Sequence, residues 1–234
     1  MAALVAISVI GTAAYFLSKS TRFQVFGELV SRGSSQHPCV ALTLDDGPSP
    51  KYTAEVLDVL ANFDAKATFF LTGQAVVAHP ALVADIAAKG HEIGNHSFSH
   101  PRMVGMSQSR IESEVESTDR AIRAAGYTGP LHFRPPYGKR LLGLPYYLKK
   151  TNRLTVLWDI APETDPTNNS DATEITRRTL ADAKNGSIIL LHVMFVSRAG
   201  SRAALPEILA GLQAKGFTFV TLSDLLQHKN CVST

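Results

Sequence analysis

From residue 39 onward, short runs rich in β-branched and aromatic residues alternate with longer stretches of helical periodicity, and this alternation restricts the fold more than any other feature. The runs CVALTL (39–44), ATFFL (67–71), HEIG (91–94), LHFR (131–134), LTVLW (154–158), SIILL (187–191) and FTFVTL (217–222) are mostly apolar on both faces, as strands of a doubly covered parallel sheet must be. Between them lie KYTAEVLDVLANF, PALVADIAAKG, SQSRIESEVESTDRAIRAAG, ATEITRRTLADAKNG and ALPEILAGLQAKG. Four of these end in glycine, as helix C-termini do. Ile111, Val115 and Ile122 fall on one side of their segment with the charges opposite, and Asp171 with Glu174 reads as a capping box. With 234 residues and 45% hydrophobic content, the chain buries one sizeable core rather than two.

The polar residues follow the strands. Asp45 and Asp46 come after the first run, His96 and His100 after the third, Arg134 at the end of the fourth, a polar loop (162–171) after the fifth and His192 after the sixth. So many strand ends meet at one point only if the sheet curls, so the expected fold is α/β, a distorted (β/α) barrel of about seven parallel strands. Ahead of it, Ala2 to Leu17 has no charge and is followed by Lys19 and Arg22. At about 1.5 Å per residue it reaches about 24 Å, a marginal membrane span. The expected organisation is a hydrophobic anchor or signal segment at 1–22, a linker at 23–37 and the barrel domain at 38–234. Lys and Arg number 23 against 20 Asp and Glu, with no dense basic run, so nucleic acid is not an expected partner. Cys39 and Cys231 form no C-x-x-C pair; two unlinked buried thiols are expected, with pairing left open.

The chemistry-bearing residues fall into four groups. T-L-D-D-G-P (43–48) places two adjacent carboxylates at a strand end, where the Gly47-Pro48 turn lets both face one pocket; alone, the motif could equally start a turn. H-S-F-S-H (96–100) spaces two imidazoles as one helical turn would, suiting chelation of one ion. A carboxylate from the first strand end would complete an Asp-His-His set, the composition of a catalytic rather than a structural zinc site. R-P-P-Y-G (134–138) offers a guanidinium on a stiff loop, and I-I-L-L-H (188–192) delivers one histidine from an apolar strand. His37, His79, His91, His132 and His228 have no such grouping and read as structural or exposed.

In this chain order, the four motifs resemble the NodB-type polysaccharide deacetylases, the family-4 carbohydrate esterases, across roughly residues 38 to 226. The resemblance implies a divalent metal, usually zinc with cobalt or another ion as the alternative, held by Asp46, His96 and His100. It further implies Asp45 as general base, Arg134 positioning that carboxylate, the Tyr137 backbone N–H as oxyanion donor with Pro136 as a second residue of the oxyanion and substrate-binding position, and His192 as general acid. The family commonly carries a further Asp-Trp motif between R-P-P-Y-G and I-I-L-L-H, and there this chain departs: W-D-I-A-P-E-T-D-P (158–166) offers Asp165 to orient His192, with Asp159 or Glu163 as alternatives, and has Pro166 where a groove-lining Trp is expected. The implied reaction is metal-dependent removal of an N-acetyl group from an amino sugar in an envelope polysaccharide or oligosaccharide. Alternatives are deformylation or deacetylation of a lipid-linked amino sugar, hydrolysis of small cyclic amides, and a catalytically dead carbohydrate-binding protein. By the positive-inside rule Lys19 and Arg22 would hold the domain in the cytoplasm, but two cations bias topology only weakly, and the resemblance implies the opposite, an extracytoplasmic domain.

Overall fold

A computed structural model describes residues 11–12, 14–33, 36–164, 171–227 and 231. Among the described residues, and after the helical stretch at 14–19, the elements are in order β1 (Leu29–Val30), β2 (Cys39–Asp45), α1 (Thr53–Asn62), β3 (Ala67–Leu71), α2 (Gly73–Ala78), α3 (Pro80–Ala88), β4 (Glu92–Asn95), α4 (Gln108–Ala124), α5 (Gly143–Lys150), β5 (Thr155–Val156), α6 (Ala172–Asp182), β6 (Ile188–His192), α7 (Ala199–Ala214), β7 (Thr218–Phe219) and α8 (Leu222–Leu226). A five-stranded parallel sheet runs β4-β3-β2-β6 with β7 also on β2, and β1 pairs parallel with β5. Single bridges continue these sheets from Asn95 to Phe133, from Phe133 to Thr155 and from Ile160 to Ile189.

Strand β2 organises the molecule because its side chains alternate between two cores. Val40, Leu42 and Leu44 face the main core with Val56 and Leu60 of α1 and Ile208 and Leu212 of α7. Cys39 and Ala41 face the other way, against Phe70, Val156 and Ile188. Thr43 and Asp45 continue this second face toward the strand's C-terminal end, so the alternation itself carries a carboxylate inward, where it is 2% exposed. Cys39 anchors the opposite end through a disulfide to Cys231, with Cα atoms 5.6 Å apart. The expected unlinked thiols are therefore corrected. Closing a loop of 192 residues restricts the unfolded chain by about 5 kcal/mol in the chain-entropy limit.

Several other expectations change. LHFR forms no strand; only Phe133 bridges its neighbours, because Pro130 and Pro135 remove ladder donors on either side. Residues 23–37, read as a linker, contain β1, and Arg32 bridges Ser187. Gly90, Gly126 and Gly216 follow helix ends with positive φ as expected, whereas Gly186 belongs to the turn before β6. A Cβ there would come within 2.1 Å of the Gly33 carbonyl oxygen. Asp171 does cap α6, accepting from the Thr173 and Glu174 N–H groups. Most of the proposed anchor lies outside the described residues; residues 14–19 are helical, and among the described residues no helix is long and apolar enough to cross a membrane.

Candidate active site

The C-terminal ends of β2, β4 and β6 and the loops after them surround a cavity of about 930 Å³ lined by Asp45, Asp46, His96, His100, Tyr137 and His192. Asp45 is the last residue of β2. Its neighbour Asp46 would point to the opposite face of an extended strand, but a φ of 64° turns it into the same cavity. Gly47 follows with a φ of 112°, and a Cβ there would approach Met194 Cγ to 2.8 Å, so the turn needs glycine twice over.

His96 and His100 converge by a different route from the helical turn expected. Strand β4 stops at Asn95, and the following loop carries left-handed residues at Ser97 (φ 64°) and His100 (φ 56°). Its backbone is held by side chains the motif does not contain. Asn95 Oδ1 accepts the Ser97 N–H, and the buried Glu114 of α4 accepts the N–H groups of Phe98 and Ser99 at 2.9 and 2.8 Å. Glu114 lies in the apolar stripe of α4 with Ile111, Val115, Thr118 and Ile122, all buried. A carboxylate interrupting such a stripe is the signal by which sequence could have found it, since a buried charge must be paired.

The donor atoms Asp46 Oδ1, His96 Nε2 and His100 Nε2 stand 3.2 to 3.8 Å apart in pairs. Tetrahedral ligands about 2.0–2.1 Å from zinc are separated by about 3.4 Å, so this set fits one divalent ion with two nitrogens and one oxygen. His96 Nδ1 lies 2.8 Å from the Arg134 carbonyl, which can only accept. The ring proton is thereby fixed on Nδ1, leaving the Nε2 lone pair for an ion.

Asp45 is held from behind. Arg134, fully buried, donates from Nη1 to Asp45 Oδ1 at 2.6 Å and to Thr43 Oγ1 at 2.8 Å, and from Nη2 to the Leu157 carbonyl. Burial by itself would raise the Asp45 carboxyl, but the Arg134 guanidinium, with the His96 and His192 rings, outweighs it and holds the group below its ordinary value. Asp45 therefore stays ionised at neutral pH.

His192 ends β6 in register with Asp45 on β2. Its Nδ1 lies 2.7 Å from Glu163 Oε2, and its backbone N–H donates to both oxygens of the same carboxylate. Burial pulls the imidazole down, yet the Glu163 hydrogen bond and the charges of Asp45, Glu163 and Asp46 raise it above its ordinary value. Glu163 is thus the partner of His192. Asp159 is engaged elsewhere, by Ser187 Oγ and the Ile188 N–H, and Asp165 and Pro166 lie outside the described residues. Tyr137 sits in a short 3-10 turn with left-handed φ and ψ of 57° and 13°, and its N–H has no partner among the described residues. Pro136 is buried beside it and is not among the residues that line the cavity. Trp158 and Leu190, which sequence reasoning left unassigned, supply apolar wall.

A family described as polysaccharide deacetylase matches residues 32–155. The chain is 36% identical over 191 residues to a peptidoglycan-N-acetylglucosamine deacetylase of Bacillus cereus, covering 82% of this chain and 89% of that one. It is 34% identical over 202 residues to the peptidoglycan-N-acetylmuramic acid deacetylase PdaA of Bacillus subtilis, covering 84% of this chain and 74% of PdaA. Among solved structures, the Bc1960 peptidoglycan N-acetylglucosamine deacetylase superposes with a TM-score of 0.79 at 33% identity, covering 84% of this chain and 92% of that one.

Proposed function

Because the chain belongs to the polysaccharide deacetylase family, a group of carbohydrate amide hydrolases, we propose that it removes the N-acetyl group from an amino sugar of peptidoglycan. The observation that carries this reading is the grouping of an ionised carboxylate, an Asp-His-His donor set and a Glu-paired histidine around one cavity. The similarity to both N-acetylglucosamine and N-acetylmuramic acid deacetylases leaves both amino sugars as substrates to assay.

Each step of amide hydrolysis then has a residue. Asp46, His96 and His100 would hold a divalent ion, with zinc the best match to their donors, which when bound polarises the acetyl carbonyl and makes a water acidic. Asp45, kept ionised by Arg134, takes the proton of the attacking water as general base. The Tyr137 N–H, which has no partner among the described residues, donates to the developing oxyanion. His192, protonated on Nδ1 by its bond to Glu163 and raised in pKa, presents Nε2–H to the departing amine. Trp158 and Leu190 form an apolar wall suited to the acetyl methyl.

The Cys39–Cys231 disulfide supports an oxidising, extracytoplasmic location, where peptidoglycan lies. The bridges at Phe133 and Ile160, joining strands that are not neighbours in the main sheet, support reading the sheet as a distorted barrel, into which β1 also pairs through β5. The reading is tested by acetate release from peptidoglycan fragments, chitin oligosaccharides and lipid-linked acetamido or formamido sugars, each with added zinc, cobalt or none. Metal-dependent acetate release from peptidoglycan is expected; formate release alone, or no turnover of any amide, would overturn the assignment.

A further inference from the structure

The loop that presents the Tyr137 N–H is tied to a segment more than a hundred residues away in sequence. Two positions after Gly138, Arg140 is 1% exposed, and no carboxylate among the described residues pairs with it. Its guanidinium instead donates to neutral oxygens from two segments, 20–24 and the 136–138 turn. Nε reaches Gln24 Oε1 at 3.3 Å, Nη1 the Gly138 carbonyl at 3.1 Å, and Nη2 the Ser20 and Phe23 carbonyls at 2.5 and 3.0 Å. The Arg140 N–H adds a bond to the Ser18 carbonyl, and the residue bridges Met103, three positions after His100. Gln24, itself buried, donates onward to the Phe26 and Glu28 carbonyls and to Thr155 Oγ1 on β5. Burial lowers the guanidinium to about 10, so it remains charged at neutral pH and must keep all these oxygens to offset its desolvation.

The same carbonyl that Arg140 grips belongs to Gly138, the residue after Tyr137. Both have left-handed φ, 57° and 64°, and a tyrosine holds that conformation only where its surroundings enforce it. We propose that Arg140 is a positioning residue for the oxyanion donor: by seating residues 18–24 as a strap and gripping the Gly138 carbonyl, it keeps Tyr137 in the conformation that leaves its N–H free at the cavity. The inference rests on the reading of that N–H as oxyanion donor. Lysine cannot substitute, because one ammonium has three donors from a single point and cannot span the four oxygens of the two segments.

The test uses the full chain loaded with zinc, as Gln24→Ala and Arg140→Lys. Two readouts are taken: kcat and KM for peptidoglycan fragments per zinc-loaded molecule, and hydrogen exchange of the Gly138 and Lys139 amides, which donate to the Pro135 and Pro136 carbonyls. Exchange at 138 and 139 should accelerate in both variants. kcat should fall on the order of 10- to 100-fold in Arg140→Lys and less in Gln24→Ala, with KM and zinc stoichiometry within about twofold. Unchanged exchange in Gln24→Ala refutes the coupling, and accelerated exchange with undiminished kcat refutes the positioning role. If Arg140→Lys does not fold, Gln24→Ala decides alone. Accelerated exchange in variants of a wild type that releases no acetate would overturn the functional reading while leaving the strap's hold on the loop established.

Discussion

Replacing Glu163 by glutamine removes one charge from the partner of His192 while keeping its size. In the native site the carboxylate lies 2.7 Å from Nδ1, and that hydrogen bond is the largest influence raising the imidazole against a burial that would lower it. A hydrogen bond to a charged group contributes roughly 1.5–3 kcal/mol, and 1.36 kcal/mol corresponds to one pKa unit, so the protonated ring should lose about 1–2 units. Burial is then opposed only by the charges of Asp45 and Asp46, so the imidazole moves down. The sign follows from the role: a general acid must be protonated, so the alkaline limb of the kcat/KM profile should move down by about 1–2 pH units. At pH values above the shifted limb the rate should fall about 10- to 100-fold. Asp45 and Asp46 face the same ring and Arg198 lies 4.0 Å from Glu163, so each remains as a common background in both proteins. The assay is acetate release between pH 5 and 10, with zinc content measured on the same samples. An alkaline limb that does not move in Glu163→Gln, or one that moves instead in Asp165→Asn, would refute the pairing and the acid role built on it.

Two further outcomes follow from side chains behind the site. Glu114→Ala leaves the Phe98 and Ser99 N–H groups without their acceptor, so zinc affinity should drop about 10- to 100-fold, read by chelator competition, while an unchanged affinity would mean the loop holds itself. His91, buried with Nδ1 accepting the Ala67 N–H, is lowered to about 4 by burial and the nearby Lys66 and Lys89. Its unfolded form takes up a proton first as pH falls, so stability should decline from about pH 6.5 to about 4, by up to about 3 kcal/mol, and His91→Gln should flatten that slope in urea melts.

The alternation of apolar runs and helical segments was enough to locate β2, β3, β4 and β6 nearly to the residue, because each is buried on both faces and free of proline. It was insufficient at 131–134, where an apolar run flanked by prolines makes one bridge instead of a strand. The motif residues were legible as chemistry, yet the backbone that joins them was not. H-x-x-x-H suggested a helical turn, whereas left-handed residues and Glu114 shape a loop. Asp165 suited the family's spacing, but Glu163, two residues earlier and one methylene longer, reaches His192. The Cys39–Cys231 pair is a contact across 192 residues, set by how the chain's end returns to the start of β2, and no local pattern encodes it.

The central claim is that two neighbouring aspartates do different work, and it can be measured directly. Asp46 Oδ1 faces both imidazole Nε2 atoms, whereas Asp45 Oδ1 is taken by Arg134. Asp46→Asn and Asp45→Asn are therefore prepared together, and zinc stoichiometry and kcat are determined on the same samples, with and without excess zinc. Asp46→Asn should lose zinc and recover part of its activity when zinc is added. Asp45→Asn should keep near-native zinc while kcat falls roughly 10² to 10⁴-fold, with no rescue by metal. Equal zinc loss in both variants, or near-native turnover in Asp45→Asn, would contradict the division of labour.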